Sequence, residues 1–355
     1  MTTTASIDRA GRWLLESGVQ EPSGGFARYY VADKGDNRPV STEITGYAIS
    51  SLTYLYSLTD DARYLDAAQR AASFLTQIAW NSELEVFPFE CAEPLAYFFD
   101  SAIIVRGLLS LWRITGDRAL LQIAVAAGRS MASSFAAPNA EFHPILRLPE
   151  KLPMPRSDQW SRSTGCYQLK SALAWNDLHR ETGEPEFLRW YEALLAESLR
   201  THESFLPGAE GDRVMDRLHA YCYFLEGILP RVERAEVAAA LKSGIERVEH
   251  FCREIGPGFV RSDVCAQLFR LRLLGASAGV APLDRKVAAA EANNLASFQP
   301  EHADRRISGG FYFAKRGDQF QPHVTPVSTG FALQALAMWR LYQAGELPFS
   351  TDALI

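Results

Sequence analysis

Residues 308–311 read Ser-Gly-Gly-Phe and run through a polar loop into Pro326-Val327-Ser328-Thr329-Gly330-Phe331-Ala332. Near the other end of the chain, residues 23–26 read Ser-Gly-Gly-Phe again, followed by a polar loop, Pro39-Val40-Ser41-Thr42 and Gly46-Tyr47-Ala48. Both loops hold a Gly-Asp pair, Gly35-Asp36 and Gly317-Asp318. Each passage leads from a glycine-rich turn into a Ser/Thr-capped helix, so one structural unit occurs twice. A unit repeated at both ends points to a chain that closes on itself.

Between the two copies the apolar pattern is helical, with hardly any clean period-two alternation. Three turns share a design: Leu58-Thr59-Asp60-Asp61-Ala62, Ile114-Thr115-Gly116-Asp117-Arg118 and Glu181-Thr182-Gly183-Glu184-Pro185. In each, Gly or Asp stops one helix and an acidic residue opens the next. The connections on the other side are long and rich in Pro, Gly and aromatic residues, at 19–41, 79–98, 134–163, 200–215, 252–262 and 297–326. They lead into helices beginning near Thr42, Phe99, Thr164, Asp216, Asp263 and Val327. Partner helices follow near 62–78, 117–134, 185–200, 233–252 and 283–297. The sixth partner is missing at the C-terminal end, and the segment Ser6 to Ser17 is predicted to supply it by packing against 327–344. The helices that follow the long loops are apolar all round (Ala102, Ile103, Ile104, Val105), whereas their partners carry a polar face (Asp66, Gln69, Arg70). That contrast predicts an inner and an outer ring within a single domain, 1–355.

The hairpin periodicity, the Thr115-Gly116-Asp117 type of turn and the segment Pro39 to Tyr47 resemble the (α/α)6 toroids. Among these, the six-hairpin glycosidases and related carbohydrate-active toroids are the most similar. The group also spans sugar 2-epimerases, some uronate lyases and epimerases, and the terpene cyclase and protein prenyltransferase toroids. The resemblance implies an all-α (α/α)6 barrel closed by its N-terminal helix. It identifies architecture and leaves the reaction open, because one fold hosts several chemistries.

In such a ring the inner-helix N-termini and the long loops share one rim, where binding groups collect. The polar first-turn residues are therefore the candidates. Glu43, Asp100, Asp216 and Asp263 offer carboxylates, and glycoside cleavage needs two at roughly 5 to 9.5 Å. Adjacent inner helices, about 8–10 Å apart, meet that spacing, so Glu43 with Asp100 and Asp216 with Asp263 are the neighbouring pairs. A narrow pocket would instead pair Asp100 with Asp216 or Asp263 across it. A carboxylate at a helix start also caps backbone N–H groups, whatever its function. Tyr47, Trp160, Arg217, His219 and Gln267 would position a sugar, with Phe311 among the loop aromatics that suit its C–H faces. His219 and Tyr223 lie one turn apart on one helix face, beside Arg217. That set suits proton abstraction next to a uronate carboxylate, as in elimination or epimerisation.

The bulk properties narrow the partners. A formal net charge of −6 without a basic tract argues against nucleic acid. No run approaches the roughly 18 apolar residues of a membrane span, and the first residues lack a secretory pattern. Five scattered cysteines fit reduced thiols and a cytoplasmic setting. Asp263-x-Cys265 with His219 resembles the zinc set of protein prenyltransferases, but in reversed order and at short spacing, so no metal or cofactor is expected. The expected activity is glycoside hydrolysis of an oligosaccharide or a uronate-containing glycan through paired carboxylates. A uronate lyase or epimerase using His219 and Tyr223, a non-catalytic glycan-binding toroid, and a zinc or prenyl-group enzyme are the alternatives.

Overall fold

The computed structural model describes residues 3–138, 141–157, 159–206, 212–256 and 258–355. Twelve α-helices stand among them: α1 (Thr3–Glu16), α2 (Thr42–Thr59), α3 (Ala62–Phe74), α4 (Phe98–Thr115), α5 (Arg118–Ser134), α6 (Leu169–Thr182), α7 (Pro185–Thr201), α8 (Asp212–Ile228), α9 (Ala235–Ile255), α10 (Ser262–Ser277), α11 (Arg285–Ala296) and α12 (Pro326–Ala344). The chain divides into two compact units. One comprises Glu21–Ala27 and Pro39–Phe205, and the other Met1–Gln20, Arg28–Arg38 and Leu206–Ile355.

The first unit holds three hairpins. Helix α4 packs between α2 and α6, and α3, α5 and α7 back them. The turn chemistry read from the sequence sets the boundaries. Asp60, Gly116 and Gly183 end α2, α4 and α6 in the left-handed region, and the Asp61 and Asp117 side chains accept from the N–H groups of Arg63 and Ala119. Helix α4 is buried almost all round, with Ala102, Ile104, Val105, Leu108 and Leu109 inaccessible, whereas α3 buries one stripe (Tyr64, Ala67, Ala68, Ala71).

The second unit repeats the plan, with α10 packed between α8 and α12 and with α9, α11 and α1 behind them. The expected sixth partner is α1, and it packs on α12. Ser6 and Arg9 donate to Gln299 Oε1 at 2.6 and 2.8 Å, and the Trp13 indole donates to the Arg306 carbonyl at 2.8 Å.

The Ser-Gly-Gly-Phe repeat has a physical basis that is the same in both units. Gly24 and Gly309 adopt φ of 93° and 99°. A Cβ there would lie 2.4 Å from the Arg70 carbonyl oxygen on α3, or 2.5 Å from that of Arg9 on α1. Each glycine therefore lets a loop lie directly on an outer-helix backbone. The following Phe26 and Phe311 donate their N–H to Thr45 and Thr329 Oγ1 at 2.9 and 3.0 Å. Those hydroxyls donate in turn to the carbonyls of the capping residues Ser41 and Thr325.

Two expectations about boundaries need correction. Helix α8 starts at Asp212, four residues before Asp216, and α6 is preceded by a 3-10 turn at Cys166–Gln168, so it opens well after Thr164. The long loops also carry three small antiparallel sheets: β1 (Tyr30–Val31) between β2 (Asp36–Asn37) and β9 (His323–Val324); β4 (Ile145–Arg147) between β3 (Leu95–Tyr97) and β5 (Leu152–Pro153); and β7 (Ala314–Arg316) between β6 (Val260–Arg261) and β8 (Gln319–Phe320). Strands of two or three residues leave no alternation to detect. No helix among the described residues is long and apolar enough to cross a membrane.

Candidate functional site

In the first unit the carboxylates of interest are Glu43 and Asp100. Ser41 caps α2, its Oγ accepting from the Ile44 N–H at 3.4 Å, so Glu43 at the second helical position is not the cap. Asp100 is the third residue of α4, whose cap position is Tyr97. Asp100 is buried and Glu43 half-buried. The helices that carry them are in backbone contact. A Cβ on Gly46 would lie 2.9 Å from the Ile104 Cα, and one on Gly107 would lie 2.5 Å from the Gly46 carbonyl oxygen. Glu43 stands about one turn above Gly46, and Asp100 one turn above Ile104. Close backbone contact between α2 and α4 thus begins about one turn below the two carboxylates. The neighbouring Thr42 hydroxyl fixes the loop over α2 by bonding the carbonyls of Pro88 at 2.7 Å and Phe89 at 3.1 Å.

Tyr47 and Tyr167 are buried, and burial pushes the Tyr167 phenol well above its ordinary value. The Gln168 amide donates to the Phe142 carbonyl at 3.0 Å. Trp160 stands edge-on to Tyr167, with centroids 5.0 Å apart.

In the second unit the structure gathers Asp216, His219, Tyr223, Asp263 and Gln267 around Arg261, one of the arginines of the long loops. Its Nε and Nη2 donate to Asp263 at 3.0 and 2.6 Å, and its Nη1 donates to Asp216 at 2.5 Å. The guanidinium lies over the Phe313 ring at 4.5 Å. Asp263 also accepts from the Val264 N–H at 2.9 Å. Burial, the largest single influence, works to raise the Asp263 carboxyl, but the charge and hydrogen bonds of Arg261, with His219 and the Val264 N–H, together hold Asp263 below the usual carboxylate range. Asp216 is 53% exposed on its side chain. The signal for Arg261 was its place immediately before Ser262-Asp263 at a helix start, a spacing that folds the guanidinium back onto the carboxylate.

His219 places Nδ1 2.8 Å from Gln267 Oε1 and 3.7 Å from Asp263 Oδ2. Burial, then the Arg261 charge, push it down to about 4, against the opposing pull of Asp263 and the Gln267 bond. It is therefore neutral at pH 7, with Nδ1–H donating to Gln267. The expected face-sharing with Tyr223 is present, with ring centroids 4.5 Å apart in an edge-on arrangement. Arg217 is half-buried. Phe311 is fully buried and belongs to the repeat anchor, so it offers no face to a sugar. Among the described residues no three His, Cys, Asp or Glu side chains are placed to hold a metal ion, and burial pushes Cys265 well above its usual thiol range.

Comparison with protein-family models and with curated protein sequences finds no match. Solved structures do match over nearly the whole chain. The cellobiose 2-epimerase of Spirochaeta thermophila superposes with a TM-score of 0.75 at 14% identity, covering 96% of this chain and 98% of its own. A D-mannose isomerase gives 0.74 at 12% identity, covering 96% and 97%. The unsaturated glucuronyl hydrolase of Bacillus sp. GL1 gives 0.69 at 15% identity, covering 99% of each chain. The fold is an (α/α)6 toroid. At these identities the toroid is what the likeness establishes, and the reaction has to be argued from side chains.

Proposed function

We propose that the protein is a carbohydrate-active enzyme that hydrolyses a glycosidic bond with Glu43 and Asp100. The observation that carries this reading is the glycine-mediated contact of α2 and α4 beneath the two residues. Such contact draws the helices to the lower end of the usual 8–10 Å separation, about the distance that a glycosidase carboxyl pair requires. Asp100, the more deeply buried of the two, is the proton donor to the leaving oxygen. Glu43 is the carboxylate that faces water or the anomeric carbon. The competing pair is less suited: Asp263 is committed to Arg261 and stays ionised, and Asp216 bonds the same guanidinium. The structurally similar proteins, named for action on cellobiose, mannose and glucuronyl units, support a saccharide substrate.

The test is turnover of neutral and uronate oligosaccharides by Glu43→Gln and Asp100→Asn. Each change is expected to lower kcat by about 10²–10⁴ without altering the melting transition. Activity within tenfold of wild type in either variant refutes the assignment.

His219 supports a second reading. A buried imidazole held neutral beside Tyr223 suits removal of a proton next to a carbonyl or carboxylate, the chemistry of epimerisation or elimination. Under that reading, solvent deuterium enters the sugar in D₂O, His219→Gln abolishes the exchange, and Asp100→Asn leaves it intact.

A further inference from the structure

The first unit carries a groove of about 590 Å³ that none of the candidate site residues lines. Ile78 and Trp80, at the end of the π-turn Leu75–Ala79 that extends α3, line it together with Leu148 and Pro149. The loop between these carries Glu83 and Glu93 into the groove. Trp80 is half-buried, with one side held by Phe87 at a centroid distance of 4.8 Å, and Ile78 is 57% exposed. The volume lies within the usual range for a small-molecule site.

The lining defines the chemistry of the occupant. An indole and aliphatic side chains offer apolar surface to C–H faces, and the two carboxylates accept hydrogen bonds from hydroxyls. Among the described residues no Lys, Arg or His lines the groove, so a uronate would meet Glu83 and Glu93 without a compensating cation. The groove is also tied to the candidate catalytic turn. Pro88, one of its lining residues, accepts from the Thr42 hydroxyl at 2.7 Å, and Thr42 immediately precedes Glu43 on α2. The Pro94 carbonyl, from another lining residue, accepts from the Leu148 N–H at 2.8 Å and so ties two lining segments together.

We propose that the groove beside Trp80 is a subsite for neutral sugar units, holding a stretch of oligosaccharide next to the first turn of α2. This rests on the carbohydrate reading above and adds to it a substrate class, neutral and several residues long, and a place where the chain lies.

Cys91 lines the groove and is the one exposed cysteine of the five. Burial raises its thiol, so alkylation is best followed at alkaline pH. The experiment measures iodoacetamide labelling of Cys91 by peptide mass spectrometry, with neutral, uronate-containing and amino-sugar oligosaccharides and a basic peptide as protectants. Turnover and melting temperature are measured on the same samples. Neutral oligosaccharides are expected to slow labelling at least ~3-fold. Trp80→Ala should remove the protection and raise the oligosaccharide KM about tenfold, with kcat and melting temperature held; Trp80→Phe should keep most of the protection. Absence of protection by neutral oligosaccharides overturns the subsite, as does protection by uronates or the basic peptide alone. Turnover in the same tubes then shows whether the proposed function falls with it. If neutral oligosaccharides are cleaved while Cys91 labels at its free rate, only the subsite is lost.

Discussion

The burial of a neutral imidazole in the second unit makes a quantitative prediction. His219 has a folded-state pKa of about 4 against an ordinary value of 6.5, set first by burial and then by Arg261. The groups that face it are Arg261, Asp263 and Asp216, with Gln267 and Tyr223 in contact. Because the folded value lies below the unfolded one, the unfolded chain binds the extra proton between the two. The His219 contribution to stability is therefore constant above about pH 7 and falls as the pH drops through 6.5 toward 4. Linkage with these two values places the loss attributable to His219 at about 2.5 kcal/mol at pH 4.5. The assay is urea unfolding of the wild type and His219→Gln from pH 4.5 to 8. Other acid-sensitive groups are common to both proteins, so the difference curve isolates the imidazole. The wild type should lose about 2.5 kcal/mol more than the variant over that range. If the two curves run parallel, or if the imidazole titrates near 6.5 by NMR, the description of His219 as a buried neutral group is wrong. The proton-abstraction reading then loses its base at neutral pH. If it holds, the acid limb of kcat/KM under that reading lies near pH 4.

Three further changes test the architecture. Glu291 is pushed up to about 7 by burial, although Arg272 lies 3.1 Å away, because that guanidinium is shared with Glu249 at 3.4 Å. A raised carboxyl contributes stability below its unfolded value, 4.5, that is lost as the pH rises through 7. Glu291→Gln is therefore expected to gain up to about 3 kcal/mol on the wild type between pH 5 and 8, read by chemical denaturation. Thr45→Val and Thr329→Val each leave a buried Phe N–H unpaired and should cost about 1–3 kcal/mol apiece, nearly equal if the two repeats are physically equivalent. Gly46→Ala gains up to about 1 kcal/mol of helix propensity but drives a methyl into the Ile104 backbone, a displacement worth about 1–3 kcal/mol. The net outcome should be lower stability together with a fall in kcat, since α2 and α4 move apart beneath Glu43 and Asp100. Unchanged kcat in a folded variant would count against that pair.

Most of the scaffold was legible because its signals are local. Asp61, Asp117, Gly116 and Gly183 act within one turn of where they stand, and each turn read from them is present. The pairing of α1 with α12 was legible from a count of unpaired helices, which is a topological argument. The site was legible only as residue types at helix starts. Sequence placed Asp216, His219, Tyr223, Asp263 and Gln267 together but gave them no order, because Arg261 decides it through contacts that join α8 to the start of α10. Phe311 was misjudged for a related reason. An aromatic in a glycine-rich loop reads as a sugar platform, and its burial becomes visible only once its N–H is seen bound to Thr329.

The repeat carries a further lesson about where function sits. Pro39-Val40-Ser41-Thr42 and Pro326-Val327-Ser328-Thr329 read alike, yet they are not structural counterparts. The cap of α2 is Ser41 and the cap of α12 is Thr325, three residues before Ser328. With the caps matched, Thr45 meets Thr329 and Gly46 meets Gly330, and Glu43 falls opposite Val327. Helix α10 obeys the same grammar. Ser262 donates to the carbonyls of Tyr312 and Phe313 at 2.7 and 3.1 Å, as Thr42 does to Pro88 and Phe89, and the residue after it is Asp263. The second helical position thus holds Glu on α2, Asp on α10 and Val on α12, while a first-position hydroxyl binds the overlying loop on α2 and α10, and a Thr-Gly pair follows on α2 and α12. A carboxylate at that position is not demanded by the scaffold, since α12 does without one. Asp263 accounts for its place by anchoring Arg261. On α2 the matching cap residue is Ser41 in place of an arginine, so the anchor that occupies Asp263 on α10 is not repeated there.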